Sequence, residues 1–163
     1  MATRAIEAIR ATMSLHGEIR EMYGREAASA TFLAGAPLCW SGGYLTECGT
    51  DPAVIVGIAA EAAHNTTAGP SNVVRYWPLA GNIFEANLSQ AATGTTSAVT
   101  HLGVDFGIIA RSSGTAHWVV DSSDETNTCC TVLEFAKDNV IGDVSARVLI
   151  SFHAAHDGLL IAS

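Results

Sequence analysis

The chain has 163 residues, 48% of them hydrophobic and 15% charged, and carries a formal net charge of −8. That is length enough for one domain with a sizeable core, and it is too apolar for wholesale disorder. An acidic body whose only lysine is Lys137 repels phosphate, which argues against a nucleic-acid partner. The charge is uneven: residues 1–26 balance four Arg against four Glu, so the rest of the chain carries the whole excess. No apolar run approaches the ~20 residues a membrane helix needs, and no membrane partner is expected.

In residues 1–26, Ile6, Ile9 and Met13 recur at helical spacing with Arg4, Glu7 and Arg10 between them. Gly17 interrupts the pattern, and Ile19, Met22 and Tyr23 resume it less regularly. This predicts an N-terminal arm, helical or extended. Two readings of it stand, because a short helix is marginal in water unless something covers it. Either the arm docks its apolar stripe on another subunit, or it folds onto its own barrel.

Residues 35–61 then read as a tight hairpin followed by a strand. Leu38-Cys39-Trp40 and Tyr44-Leu45-Thr46 flank Ser41-Gly42-Gly43, and glycine supplies the positive φ that such turns need. A turn at 49–52 leads into a β-branched run over 53–59. A polar connection over 61–70 follows, then strands over 72–77 and 82–88 and a small, polar surface loop over 89–100. A second hairpin pairs 106–110 with 117–120 across residues 111–115. A hydrophilic turn at 121–127, a strand at 130–135, a turn at 138–143 and a last strand at 145–152 complete the set. Short strands at a spacing of about ten residues point to an all-β fold, a small antiparallel β-barrel or sandwich. The predicted division is an arm over 1–26, a barrel over 27–153 and a tail over 154–163.

Little in the chain points to catalysis. There is no Gly-x-Ser-x-Gly elbow and no phosphate loop, and Gly103-Val104-Asp105-Phe106-Gly107 is not followed by a helix. His153-x-x-His156 would converge on a metal only if a turn follows the last strand, and solvated tail residues are the plainer expectation. Residues 121–125 offer oxygens for a hard cation but lack the pattern of a calcium loop, so a hydrophilic turn is expected there. No cofactor and no metal are expected. The adjacent pair Cys129-Cys130 cannot readily bond to itself, and no signal-peptide pattern opens the sequence. All four cysteines are therefore expected as free thiols of a reducing cytosol. Trp40 and Trp77 lie inside apolar runs and are expected in the core, whereas Trp118 is left open between core and a binding platform.

The order of motifs resembles the capsid decoration, or cement, proteins of tailed bacteriophages. The residues that carry this are Phe32-x-Ala34-Gly35-Ala36-Pro37-Leu38, then Ser41-Gly42-Gly43-Tyr44-Leu45 and Asp51-Pro52-Ala53-x-Ile55-x-Gly57-Ile58-Ala59-x-Glu61. Tyr76-Trp77-Pro78-Leu79, Asn82-Ile83-Phe84-Glu85-Ala86 and Asp105-Phe106-Gly107-Ile108 follow. Trp118-x-Val120-Asp121-x-Ser123-Asp124-x-Thr126-Asn127 and the run from Ile141 to Phe152 close it, so the similarity spans about residues 30–153. The resemblance implies a tulip-like or jelly-roll-like body and a non-enzymatic virion protein. Such a protein is made in the bacterial host cytoplasm and seats on the outer capsid surface. Its implied partners are the major capsid protein and further copies of itself, as a dimer or trimer. The candidate capsid or subunit contacts are Ile6, Ile9, Met13, Ile19, Met22, Tyr23 and Trp118, and deleting residues 2–24 is expected to leave the barrel folded. Two rival readings are a small β-barrel enzyme built around Asp105, His117 and Asp121, and a carbohydrate-binding adhesion module using Trp118.

Overall fold

The computed structural model describes residues 1–65, 72–90, 93–111 and 117–158 and is almost all β. Strands β1 (Arg10–Ser14) and β2 (Met22–Arg25) precede β3 (Pro37–Ser41), β4 (Tyr44–Glu47), β5 (Gly57–Ala59) and β6 (Val73–Pro78). Then come β7 (Asn82–Gln90), β8 (Thr93–Gly94), β9 (Asp105–Ala110), β10 (Trp118–Asp121), β11 (Cys130–Phe135) and β12 (Arg147–Phe152). Single 3-10 turns lie at Val99–His101 and Ala154–His156. Among the described residues no helix is long and apolar enough to cross a membrane. Parts of the expected polar connection, the 89–100 loop, the 111–115 turn and the tail lie outside the described residues.

Two sheets form the body. The first runs β2-β6-β5-β3-β4 with antiparallel neighbours, and a parallel bridge between Glu26 and Leu45 brings its last strand back to its first. The hairpin β3–β4 turns through Gly42 and Gly43, whose φ values of 57° and 85° suit a two-residue turn that matches the sheet's twist. The second sheet follows the order β1-β7-β10-β9-β11-β12, with β8 on β7, and β12 pairs back onto β7. Among the described residues its only parallel neighbours are β7 and β10. One hydrophobic cluster draws on both sheets, with Leu38, Leu45, Ile58 and Tyr76 from the first and Phe84, Leu88, Ile108, Val132 and Ile150 from the second. Trp118 Nε1 ties the sheets together by donating to Glu47 Oε1 at 2.7 Å.

Several expectations need correction. Residues 1–26 form no helix: β1 joins the second sheet, β2 joins the first, and the segment folds onto its own body. Deleting residues 2–24 would therefore strip a strand from each sheet. The strand expected over 53–59 is confined to β5, because Ile55 bonds elsewhere: its N donates to His156 O at 2.7 Å, whereas Val56 N still donates to Leu38 O of the neighbouring β3 at 2.7 Å. The tail to residue 158 is not free either, since Asp157 bridges to Ile55 and Gly158 N donates to Ile55 O at 2.9 Å.

The cysteine expectation fails in half. Cys39 and Cys48 form a disulfide, with Cα atoms 5.2 Å apart, while Cys129 and Cys130 are free and buried. The cause is the hairpin register: Cys39 faces Thr46, and Cys48 follows two residues later with its N–H on Pro37 O at 2.9 Å. That puts the two Cα atoms within bridging range. Trp40, expected inside, is 46% exposed at the end of β3, whereas Trp77 is partly buried against the core.

Candidate functional site

Strand β7 explains how the N-terminal segment is held. Its inward residues Phe84, Ala86 and Leu88 are core, as alternation demands, but its outward residues Glu85 and Asn87 are covered as well. Asn87 imitates a strand partner: its Oδ1 accepts from Glu7 N at 3.0 Å, and its Nδ2 donates to Ala5 O at 3.0 Å and Ser145 O at 2.7 Å. Arg147, on β12, donates through Nε to Glu85 Oε1 and through Nη1 to Glu7 Oε2 at 2.9 Å. Burial alone would push the Glu85 carboxyl up, but the Arg147 charge and hydrogen bonds from Arg10 and Arg147 hold it below the usual carboxylate range. Further along, Asp143 accepts from Ala2 N at 2.8 Å and from Arg4 Nε at 2.8 Å. The Ala2 hydrogen bond first, and the Arg4 guanidinium with it, keep that carboxyl low. Residues 2–10 are thus a polar strap fastened at three points.

The next stretch behaves differently. Leu15 N donates to Gly81 O at 2.9 Å and Arg20 O accepts from Asn82 Nδ2 at 3.3 Å, so the β1–β2 connection is anchored at both ends to the β6–β7 turn. Between and beside those anchors, Met13, Leu15, Ile19 and Tyr23 are exposed, Leu15 and Tyr23 to about two-thirds (65% and 66%). Arg20 and Arg25 stand exposed beside them. This is a face of mixed character, apolar residues among charges of both signs (Glu18 and Glu21 are exposed as well), mounted between two strands that belong to different sheets.

Of the seven expected contact residues, Met13, Ile19 and Tyr23 lie on this face. Ile6 is half-buried, and Met22 is packed against the core. Ile9 is fully buried and Trp118 is 3% exposed, so neither is available as a surface contact. Alternation explains the split, because Met22 and Gly24 of β2 turn inward while Tyr23 and Arg25 turn outward. Leu15 was missed, since the helical pattern skipped it and only the strand-and-turn geometry exposes it.

The constellation of Asp105, His117 and Asp121 is not assembled. In the β9–β10 pairing Trp118 faces Ala110 and Asp121 faces Gly107, so His117 and Asp105 lie at opposite ends of the hairpin. At the strand rise that is roughly 20 Å. Asp105 instead meets Thr131 and His153: Thr131 Oγ1 donates to Asp105 Oδ1 at 2.6 Å, and His153 Nε2 is 3.1 Å from that hydroxyl and 3.3 Å from the carboxylate. A nucleophile relay needs the hydroxyl to donate to one ring nitrogen and the acid to bind the other. Here the hydroxyl points at the acid and one nitrogen faces both, so the group clasps β9, β11 and the end of β12. The Thr131 hydrogen bond is the main cause that lowers the Asp105 carboxyl.

At 121–125 the carboxylates cap their own turn. Asp121 Oδ1 accepts from Ser123 N at 2.9 Å, and Asp124 Oδ1 from Thr126 N at 3.0 Å and Asn127 N at 2.9 Å. Asp51 stands near them; burial, then the negative charges of Asp124 and Asp121, push its carboxyl up. His153 and His156 do approach, with ring centroids 6.1 Å apart, because a turn follows β12 as the convergence required. Their nitrogens face other groups, His156 Nδ1 lying 3.3 Å from Pro52 O. Among the described residues no group of three or more His, Cys, Asp or Glu is placed to hold a metal ion. A scan against protein-family models finds no match to this chain, and a search of curated proteins finds none.

Proposed function

We propose that this chain is a capsid decoration protein: a virion structural protein that seats on the outer surface of a phage capsid and bridges neighbouring capsid subunits. The observation that carries the reading is the exposed face of Met13, Leu15, Ile19 and Tyr23, held between strands of two sheets. Four exposed apolar side chains within one mounted segment of eleven residues support a docking surface there. A preordered face loses little conformational entropy on binding. As a dimer or trimer at a lattice symmetry axis, the protein would present several such faces, and multivalency would turn weak contacts into tight clamping. The Cys39–Cys48 disulfide suits a particle that leaves the cell, where oxidised cysteines persist.

The test is sedimentation of the purified chain with capsids assembled from the major capsid protein that this reading expects in the same genome. The native chain is expected to pellet with the particles, and the Leu15→Ser, Ile19→Ser double variant to stay in the supernatant while remaining folded. Full decoration by that variant would overturn the face, and no pelleting of the native chain would overturn the function.

A further inference from the structure

A cleft of about 230 Å³ opens beside the exposed face, walled by Leu15, Leu79, Phe152 and Ala154. Asn82 and Asp157, 2% and 1% exposed, also line it. Asn82 Nδ2 donates to Pro78 O at 2.9 Å and to Arg20 O at 3.3 Å, and two carbonyl acceptors fix which way the amide faces. Its Oδ1 is then a buried acceptor with no hydrogen-bond partner among the described residues. Buried polar atoms are nearly always paired, so such an acceptor calls for a donor. Asp157 adds negative charge: the Tyr76 phenol is pushed up by burial first and by the Asp157 charge second. His153 also lines the cleft, with its Nε2 turned to Thr131 and Asp105.

Apolar walls with acceptors beneath them fit an alkyl stem that ends in a donor-rich cation. We infer that this cleft receives an arginine side chain of the docking partner, its methylenes against Leu15 and Phe152 and its guanidinium toward Asn82 Oδ1 and Asp157. Guanidinium is favoured over ammonium because its planar fork carries five donors and is weakly hydrated, so it serves two acceptors at once when buried. A protein side chain is favoured over a free amine because Leu15 belongs both to the cleft and to the exposed face, making the two one surface. The inference rests on the docking reading above and names the chemistry of its partner.

The probe is N-acetyl-arginine amide, titrated into the isotope-labelled full chain and followed by amide chemical shifts. Saturable shifts are expected at Gly81, Asn82, His153 and Ala154. The neutral isostere N-acetyl-citrulline amide should bind about tenfold more weakly, since it loses a charge-assisted hydrogen bond. Ala154 is exposed at the rim, and Ala154→Trp, which lays an indole across the mouth, should abolish the response without unfolding the chain. An absent response, an equal response to citrulline amide, or a response that survives Ala154→Trp overturns the inference. Sedimentation separates the two ideas. If capsids bind the native chain and Ala154→Trp alike, the cleft inference falls and the docking reading stands. If arginine amide saturates the cleft but capsids bind neither chain, the docking reading falls and the cleft, as a guanidinium site, stands.

Discussion

Residues 2–10 and residues 13–23 both intersperse Ile or Met with Arg and Glu, yet the first is partly covered around the buried Ile9 while the second is exposed except near Ser14 and Met22. Hydrophobicity does not separate them. The first stretch meets Asn87, Arg147 and Asp143, whose side chains satisfy its backbone and its charges from outside the sheet. The second is held at its ends, by Met13 and Ser14 pairing with β7, Met22 and Tyr23 pairing with β6 and the β6–β7 turn binding Leu15 N and Arg20 O, and its middle is left exposed. Side-chain fastening therefore separates the stretch that is partly covered from the one that stays exposed.

The largest effect should come from cutting the strap at its charged centre. Arg147→Met leaves Glu85 and Glu7 without their shared guanidinium and should cost about 3 kcal/mol, as for a broken buried ion pair. A urea midpoint unchanged from the native chain would show that the strap is not held there. Asn87→Ala should cost roughly 2 kcal/mol, because the strap's amide and carbonyl lose a buried partner. Amide exchange at Glu7 would report it, and native-like protection there would refute it.

Acid should loosen the same strap. Glu85 and Asp143 both have carboxyls held below their ordinary range in the folded chain. Their contribution is complete above the unfolded carboxylate pKa, about 4, and is lost as pH falls through the lower folded values. Protection of the Ala2 and Arg4 amides is expected to drop below about pH 4, and less so in a Glu85→Gln, Asp143→Asn chain. Equal acid sensitivity of the two chains would place the titration elsewhere. The smallest change in stability belongs to the exposed stretch. Leu15→Ser with Ile19→Ser should shift unfolding by no more than about 0.5 kcal/mol. A larger loss would mean that these side chains support the fold as well as face outward.

Much of the fold was legible in the chain. The Gly42-Gly43 turn, the alternation along 130–135 and 145–152, and the punctuation between short apolar runs led to an all-β body. Local geometry suffices for those features, because a two-residue turn and a period of two depend on neighbours in sequence. The hairpin even held the disulfide in its register, had Cys48 been counted back from the turn. Reading residues 6–13 as helical shows the limit: three apolar residues at helical spacing also fit a strap and a strand, and pairing with β7 chose between them.

The sequence by itself determined most strands beyond residue 35, the tight turn and the acidic body, since these follow from side-chain alternation, glycine conformation and charge count. Only the tertiary structure decided that Ile9 and Trp118 are core, that Leu15 is exposed, and that Asp105 meets His153 and Thr131 rather than His117 and Asp121. Those outcomes depend on which distant strands become neighbours, and that pairing is set by the packing of the whole chain.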